Sequence, residues 1–404
     1  MHDPVLEWLI REGAALADEE ALVRELALRL RAEGLPIDRL WIGYARPHPL
    51  LAGTGALWQI DRGTSSGVVP YALRHITTPT EGPLAEAMAT GRLTRLRFAE
   101  VARGGLGLLD ELWDDGYVEL CAIAFRWTGS SAVCTFCTRR EGGFTEAEAE
   151  RFAALRDVLA LVTQCRDRGA FIDILAETYL GREVGRRVVD GAIHRGDGET
   201  IPAAIWFSDI RRFTSLSERL PLPELLAILD DAFEAQVAAI TAHGGEVLKF
   251  IGDGLLAIFR GEGGDREGVG EGVVEGEGGD VQACQAALAA VRACVAAMVE
   301  INRDRVARGL VEIDGGIALH YGDLLFGNIG ATTRLDFTVI GPAVNLAARI
   351  EGLCVRLGAP VVASAAFAAR CPGECEAAGS FELKGVAGAT AVHRVRLRLR
   401  DGRG

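Results

Sequence analysis

The sequence predicts an α+β (or α/β) chain with an N-terminal mixed sheet and a C-terminal, mainly antiparallel sheet, both accompanied by helices. Strand-like apolar runs at 204–210 and 247–259 alternate with stretches of helical periodicity. The length of 404 residues favours two or three domains of about 150 residues each. A stretch rich in Gly, Glu, Asp and Val at 261–280 predicts a disordered acidic insertion in the C-terminal domain.

Composition and charge exclude several classes of function. The net charge of −13 argues against binding to nucleic acid or to anionic membranes. The start of the chain lacks the pattern of a secretory signal, and the most apolar run, 287–301, is interrupted by Arg292 and Glu300. The nine cysteines are scattered, and Cys134 and Cys137 are better explained as core thiols than as a metal or redox pair. We therefore expect a soluble, cytoplasmic protein.

The N-terminal domain is predicted to span 1–165. A capping box formed by Thr145 and Glu148 starts a helix whose apolar face includes Phe152. This layout, closed by a helix after a Gly-Gly-Phe-Thr turn, resembles a GAF-type sensor domain, although no set of residues identifies a ligand. The remaining predicted elements are helix at 1–35, strand at 40–44, short strands within 53–71, helices at 81–89 and 108–115, and paired strands at 117–125 and 131–137.

A helical linker is predicted at 166–199. Its periodicity continues through 170–193, with Gly181 and Gly185 each weakening the helix by about 1 kcal/mol. The pattern is compatible with a coiled coil that couples two domains and with an inert spacer.

The C-terminal domain is predicted to span 200–397. After the first strand we expect two helices opening near 216 and 222, with the second ending at 242, and a hairpin at 246–259. A long helix at 281–310, strands at 316–320 and 322–330, and a last strand at 391–397 follow.

Two carboxylates interrupt the apolar strands of this domain. Asp209 ends the first run, and Asp253 lies between Gly252 and Gly254 in the hairpin. A carboxylate inside an apolar run is costly unless a cation meets it, and Mg²⁺ or Mn²⁺ would suit oxygen ligands. The alternatives are a strand-end cap for Asp209 and an ordinary Asp-Gly turn for Asp253.

Three ordered motifs, Asp-Ile-Arg-Arg-Phe-Thr at 209–214, Lys-Phe-Ile-Gly-Asp-Gly at 249–254 and Val-Asn-Leu-Ala-Ala-Arg at 344–349, resemble the signature of the class III nucleotidyl cyclase catalytic domain. The resemblance covers about 200–397 and implies a ferredoxin-like fold. It also implies conversion of ATP to 3′,5′-cyclic AMP and pyrophosphate with two Mg²⁺ or Mn²⁺ ions per site. Two half-sites, each present once in this chain, imply a homodimer with two symmetric sites.

The resemblance assigns the metal and phosphate ligands. Asp209, Asp253 and the carbonyl of Ile210 would bind the metal ions, and backbone N–H groups as far as Phe213 and Thr214 would bind the β- and γ-phosphates. One position departs from the family pattern: Arg212 stands where Gly is usual. Its side chain would either crowd the loop or help to bind the triphosphate.

The resemblance also assigns recognition of the base and stabilisation of the transition state. Lys249 would donate to purine N1 and Thr338 would accept from the adenine 6-amino group, which favours ATP over GTP. Asn345 would orient the ribose, and Arg349, four residues later on the same helical face, would stabilise the transition-state charge. Lys384 and Arg334 would contact the terminal phosphates. The alternatives are a surface strand lysine for Lys249 and a solvent-exposed helix arginine for Arg349.

These assignments predict an adenylyl cyclase regulated by its N-terminal domain. A guanylyl cyclase and a catalytically inactive nucleotide-binding module are the alternatives, the second because of Arg212.

The Lys249–Thr338 pairing resembles the subgroup that includes bicarbonate-responsive cyclases. We therefore expect bicarbonate to stimulate turnover, measured as product formation at fixed pH and ionic strength. Equal rates with and without bicarbonate would contradict this expectation.

Overall fold

The computed structural model describes residues 3–45, 51–71, 82–101, 108–127, 130–191, 194, 196–261, 278–331 and 333–397. Residues 262–277 of the predicted acidic insertion lie outside the described residues. The chain divides into two units, Met1–Leu175 and Ala176–Gly404, so the boundary falls within the predicted linker.

The N-terminal unit contains one six-stranded sheet in the order β3-β2-β1-β6-β5-β4. All five strand pairings are antiparallel, so the prediction of a mixed sheet is wrong in this respect. The resemblance to a GAF domain stays a prediction. The elements are α1 (Pro4–Arg11), α2 (Glu19–Ala32), β1 (Arg39–Ala45), β2 (Leu51–Gln59), β3 (Gly63–Pro70), α3 (Gly82–Thr90), β4 (Thr94–Arg97), α4 (Leu108–Asp114), β5 (Glu119–Trp127), β6 (Ser130–Thr138) and α5 (Glu146–Leu180).

Side-chain caps set the helix boundaries in this unit. The predicted helix at 1–35 is two helices, because Asp18 accepts from the backbone N–H of Ala21 at 2.7 Å and starts α2. The predicted capping box is confirmed: the Thr145 N–H donates to Glu148 at 2.7 Å, and the Glu148 N–H donates to the Thr145 hydroxyl. α5 then packs Phe152 against Phe136, with ring centroids 4.3 Å apart.

Cys134 and Cys137 are buried in the N-terminal unit. All nine cysteines are free thiols, and burial raises the pKa of Cys137 to about 11 and holds that of Cys134 well above its ordinary value. Thiols with raised pKa values are poor nucleophiles and poor metal ligands. The prediction of core thiols for the Cys134–Cys137 pair is confirmed.

A sharp turn ends α5 before the second unit's sheet begins. Gly181 has a φ of +87°, and α6 (Arg182–Val189) follows it directly. A Cβ at Gly185 would lie 2.7 Å from the carbonyl carbon of Ala176. The two glycines therefore permit the turn and the close packing of α6 on α5, rather than only weakening one continuous helix.

The C-terminal unit contains a ferredoxin-like arrangement, with strand order β10-β7-β9-β8 and connectivity β7-α8-β8-β9-α9-β10. Its main sheet is extended by β12, β14 and β13, and only the β10–β12 pairing among its described strands is parallel. The elements are β7 (Gly198–Ile210), α7 (Phe213–Ser217), α8 (Leu222–Ala242), β8 (Gly245–Ile251), β9 (Gly254–Phe259), α9 (Gly279–Ala307), β10 (Gly315–Ala331), β11 (Arg334–Ile340), α10 (Pro342–Glu351), α11 (Leu353–Leu357), β12 (Val361–Ser364), α12 (Ala365–Arg370), β13 (Cys375–Glu382) and β14 (Ala389–Val395).

β10 corrects one sequence prediction. Strands 316–320 and 322–330 are a single strand of 17 residues that runs through Gly322. A Cβ at Gly322 would lie 3.1 Å from that of Ala343 in α10. The glycine therefore allows close packing of a helix on the strand and does not mark a turn.

α9 is the one helix in the described part of the chain that is long and apolar enough to cross a membrane. A core helix passes the same test, and the buried residues of α9, such as Ala287 and Val291, pack in a core cluster with Trp206 and Phe259.

We predict opposite effects for two glycine substitutions. Gly185→Ala should lower the free energy of unfolding by about 1–3 kcal/mol, because its Cβ meets backbone atoms that cannot move away. Gly169 lies on α5, and an ideal Cβ there has no atom within 4 Å, so Gly169→Ala should raise the free energy of unfolding by about 0.5–1 kcal/mol. Denaturant titration measures whether each substitution raises or lowers this free energy. A stabilising Gly185→Ala would contradict the close packing of α6.

Candidate active site

Asp209 and Asp253 meet at one end of the C-terminal sheet. Asp209 is the penultimate residue of β7, and Asp253 lies in the two-residue turn between β8 and β9. Gly252 supplies the positive φ of that turn, at +64°. A Cβ at Gly254 would lie 2.7 Å from the Ser208 carbonyl and 3.4 Å from Asp209 Oδ1, so only glycine allows the turn to approach β7.

The two carboxylates form an electronegative site. Burial, followed by the negative charge and the hydrogen bond of Asp253, raises the pKa of Asp209 to about 6, and the Ile210 N–H partly opposes the shift. A divalent cation would remove this repulsion, so the pair fits the predicted metal site. Within the described residues no group of three or more His, Cys, Asp or Glu side chains could hold a metal ion. Two carboxylates that leave positions for substrate oxygens suit Mg²⁺ or Mn²⁺.

The loop after Asp209 carries the departure from the family pattern. Arg212 is exposed and is the one non-glycine residue with positive φ, +60°, in the described ranges. The backbone at position 212 therefore has the left-handed conformation that glycine adopts freely, although the residue is an arginine. Phe213 and Thr214 begin α7, with Phe213 packed against a core cluster and Thr214 exposed.

Glu351 is a third carboxylate that the sequence analysis did not assign. Gly316 pairs with Asp209 across β7 and β10, and a Cβ at Gly316 would lie 2.2 Å from Glu351 Oε1. Burial, followed by Asp209, raises the pKa of Glu351 to about 7, with Arg211 opposing the shift. The only sign of it in the sequence was its position on the predicted helix, two residues after Arg349. Helical spacing alone does not reveal that this side chain lies against Gly316 of β10.

The predicted base-reading residues lie on β8 and β11. Lys249 Nζ donates to Asp336 Oδ2 at 2.5 Å, which joins the two strands. Thr338, two residues further along β11, is 7% exposed and pairs with Gly327 of β10. Asp336 was missed by the sequence analysis. The two-residue period of a strand, which puts it on the same face as Thr338, could have indicated it.

α10 presents the predicted transition-state residues. Asn345 and Arg349 lie on its exposed face, while Ala343, Ala347 and Ile350 are buried. The Arg349 guanidinium lies 3.7 Å from an ideal Cβ position at Gly385, so the structure brings it to the turn that contains Lys384.

Lys384 is exposed before β14. Arg334 is exposed at the start of β11 and makes no hydrogen bond or ion pair with another predicted site residue in the described part of the chain. Within one chain, the predicted site residues therefore fall into three places. Asp209 lies near Asp253, Lys249 lies near β11, which carries Thr338, and Arg349 lies near the turn that contains Lys384.

A cavity of about 1090 Å³ opens beside Lys249 and Asp336. It is lined by the α5–α6 turn at 177–183, by 244–250 of β8 and by Phe337, and does not reach Asp209 or Asp253. The cavity is therefore an opening next to the predicted base-reading residues, not an enclosed nucleotide site.

Glu246 lies in the wall of this cavity. Its two carboxylate oxygens are buried, and Arg260 Nη2 is 3.9 Å away. Burial, followed by the negative charge of Glu183, raises the pKa of Glu246 to about 7. Arg260 is the opposing influence, and it also pairs with Glu183 at 2.9 Å.

The C-terminal segment matches a known catalytic family. Residues 198–395 match the adenylate and guanylate cyclase catalytic domain. An adenylate cyclase from Anabaena cylindrica is 34% identical over 170 residues, which are 42% of this chain and 31% of that protein. Adenylate cyclase 1 from Rhizobium meliloti (strain 1021) is 32% identical over 165 residues, 41% of this chain and 23% of that protein. The chain thus spans about a third or less of these curated relatives.

A solved structure is similar over about half of the chain. The adenylyl cyclase CyaB from P. aeruginosa is 25% identical, with a TM-score of 0.41, and the match covers 51% of this chain and 98% of that one.

Glu246→Gln should stabilise the protein only at alkaline pH. With a folded-state pKa raised from 4.5 to about 7, the stability contributed by protonated Glu246 is full below pH 4.5 and is lost as the pH rises through about 7. The glutamine remains neutral, so we expect a gain on the order of 1–3 kcal/mol at pH 8 and little difference at pH 5. Urea titrations at both pH values measure this.

The exposed Glu312→Gln in the same unit is the control, since it should show no such dependence on pH. A Glu246→Gln variant less stable than wild type at pH 8 would mean that attraction to Arg260 outweighs the cost of burial.

Proposed function

Since residues 198–395 belong to the adenylate and guanylate cyclase catalytic domain family, we propose that the protein is an adenylyl cyclase that converts ATP to 3′,5′-cyclic AMP and pyrophosphate, a phosphorus–oxygen lyase reaction. The observation that carries this proposal is the Asp209–Asp253 pair, whose mutual repulsion a divalent cation would relieve. The position of Lys249 beside the Thr338 strand supports adenine as the base.

Asp209, Asp253 and the Ile210 carbonyl are the proposed ligands of two Mg²⁺ or Mn²⁺ ions. Such ions, when bound, polarise the attacking 3′-oxygen and neutralise charge on the leaving pyrophosphate. The chain itself keeps the two carboxylates in place: Gly254 lets the hairpin turn reach β7, and the Ile210 N–H stabilises the ionised form of Asp209.

The triphosphate is bound by backbone and cationic groups. N–H groups of Phe213 and Thr214 face the β- and γ-phosphates at the start of α7, and the exposed charges of Lys384 and Arg334 contact the terminal phosphates. Arg349 stabilises the charge that develops on the α-phosphoryl oxygens during in-line displacement, and Asn345 orients the ribose.

Lys249 and Thr338 select the purine. Lys249 donates to N1 of adenine, which is an acceptor, whereas N1 of guanine carries a hydrogen. The Thr338 hydroxyl accepts from the 6-amino group, which guanine lacks. A guanylyl cyclase is the second candidate, since the family includes both activities.

The active protein is proposed to be a homodimer. One protomer contributes Asp209 and Asp253, and its partner contributes the groups for the base, ribose and transition state. This isologous arrangement gives two equivalent sites. The N-terminal unit is proposed to be a GAF-like regulatory domain, with bicarbonate as an effector of the catalytic unit, and the enzyme is proposed to work in the cytoplasm.

Product formation tests the enzyme and its base preference together. Purified full-length protein with Mn²⁺ should form cyclic AMP from ATP and little cyclic GMP from GTP. Asp209→Ala and Asp253→Ala should each lower the rate by at least about a hundredfold, because the cations lose a ligand. Turnover of GTP alone would overturn the adenylyl assignment. Absence of product from both nucleotides, also in Arg212→Gly, would favour a nucleotide-binding module.

Mixing two inactive variants tests the homodimer. Asp209→Ala and Arg349→Ala homodimers each lack one residue in both sites, whereas a mixed dimer has one complete site. Co-expression should therefore restore about a quarter of the wild-type rate if half of the dimers are mixed. Co-expression of Asp209→Ala with Asp253→Ala is the control, because both changes affect the same half-site. Recovery in the control, or none in the test pair, would contradict shared sites.

A further inference from the structure

Arg212 brings a positive charge to the loop between Asp209 and α7. Its side chain is exposed and makes no hydrogen bond or ion pair with the residues that the structure describes. We propose that Arg212 binds the β- and γ-phosphates of the nucleotide and then retains the pyrophosphate product, which makes the protein sensitive to inhibition by pyrophosphate. This inference rests on the proposed function, since it concerns the substrate and the product of the same site.

The backbone around Arg212 is held on both sides. Before it, the Arg211 N–H donates to the Asp314 carbonyl at 2.8 Å, and Arg211 Nη2 donates to the Ala359 carbonyl at 2.8 Å. After it, the Leu216 N–H donates to the Arg212 carbonyl at 2.9 Å. The loop is therefore fixed before a ligand arrives, so that binding to the Arg212 side chain costs little backbone entropy.

The two adjacent arginines have different surroundings. The Arg211 side chain is 17% exposed and lies 3.3 Å from Asp314, so its charge is already matched within the protein. Arg212 has no such counter-ion among the described residues. An arginine without an acidic partner suits a multiply charged anion, and its guanidinium can bind two phosphate oxygens at once.

α7 by itself offers a phosphate group little positive charge. It has five residues, so its dipole is small, and no side chain caps its N-terminus. Asp209 and Asp253 also repel phosphate unless a cation is bound between them. A positive side chain in this loop therefore supplies an attraction that the backbone N–H groups of Phe213 and Thr214 lack.

A contact with the β- and γ-phosphates persists through the reaction. The bond between the α-phosphorus and the bridging oxygen breaks, and both phosphates leave together as pyrophosphate. Arg212 therefore stabilises substrate and product alike, which lowers KM without raising kcat and slows the release of pyrophosphate. Sustained turnover then needs a hydrolytic reaction that removes pyrophosphate.

Binding of pyrophosphate gives the direct test. In titration calorimetry of the full-length protein with Mg²⁺, Arg212→Asn should weaken the binding of pyrophosphate about five- to tenfold, because asparagine accepts the left-handed conformation but carries no charge. Arg212→Lys should recover part of the affinity, since it restores the charge but not the two-point contact. Arg219→Asn, the same change of charge at an exposed position after α7, is the matched control and should have no effect.

Arg212→Gly separates binding from crowding. Glycine is the usual residue of the family at this position, and it relieves the backbone strain. If Arg212 binds phosphate, Arg212→Gly should lose the same affinity as Arg212→Asn. Tighter binding of pyrophosphate in either variant would mean that the arginine crowds the loop, and unchanged binding would mean that it makes no contact. Both results would overturn the proposal.

The ionic nature of the contact is tested with 3′-deoxy-ATP, which lacks the attacking hydroxyl. Its affinity should fall in Arg212→Asn by the same factor as that of pyrophosphate. This factor should shrink when KCl is raised, because salt screens an exposed charge pair. A loss that is equal at low and high salt would indicate a structural effect of the substitution and would contradict a direct contact.

Steady-state kinetics distinguishes failure of this proposal from failure of the proposed function. In Arg212→Asn, the KM for ATP and the inhibition constant of pyrophosphate should rise by the same factor, and kcat should not fall. Turnover by wild type, with binding that does not depend on Arg212, would overturn the role of Arg212 alone. Binding of pyrophosphate and 3′-deoxy-ATP that depends on Arg212, without turnover, would overturn only the cyclase assignment. No binding of either ligand to wild type would overturn both.

Discussion

The close approach of the Asp209 and Asp253 carboxylates sets the conditions that the surrounding residues must meet. The approach of the two carboxylates requires a hairpin turn that packs on the β7 backbone, and Gly254 makes this possible. It also requires a neighbouring strand without a side chain at Gly316, where the Glu351 carboxylate lies. The Asp209–Asp253 pair is an arrangement that a cation stabilises and an apolar core would not.

Glu351 connects two parts of the catalytic unit. It is the last residue of α10, the helix that presents Asn345 and Arg349. Its pKa is raised by burial and then by the negative charge of Asp209. In the proposed dimer, α10 serves the site built on the partner's carboxylates, while the Glu351 carboxylate lies against Gly316, the residue that pairs with Asp209 of its own chain.

The elements that carry the charged motifs could be predicted from the sequence, because a charged residue within an apolar run is rarely there only to pack the core. β7, the β8–β9 hairpin and α10 all appear where the carboxylates, the Gly-Asp-Gly turn and the helical spacing of Asn345 and Arg349 indicate. Glycine was the main source of error. Gly322 indicates a turn by composition, but its role is to let Ala343 approach, which depends on residues far away in the sequence.

The partner of Lys249 shows a second limit. Asp336 is one of many acidic residues, and only the folded sheet places it 2.5 Å from the lysine. The burial and, after it, the charge of Asp209 that raise the pKa of Glu351 likewise depend on several elements together. Local sequence patterns therefore identify candidate catalytic and binding residues, whereas the orientation of their side chains depends on tertiary packing.

The left-handed backbone at Arg212 has a consequence for how this loop can change over time. Glycine and arginine codons of the GGN and CGN types differ by a single base, so one mutational step exchanges a flexible residue for a charged one. The exchange costs about 1–2 kcal/mol of backbone strain. A return to glycine would relieve this strain, but it would also remove a positive charge from the loop that precedes α7.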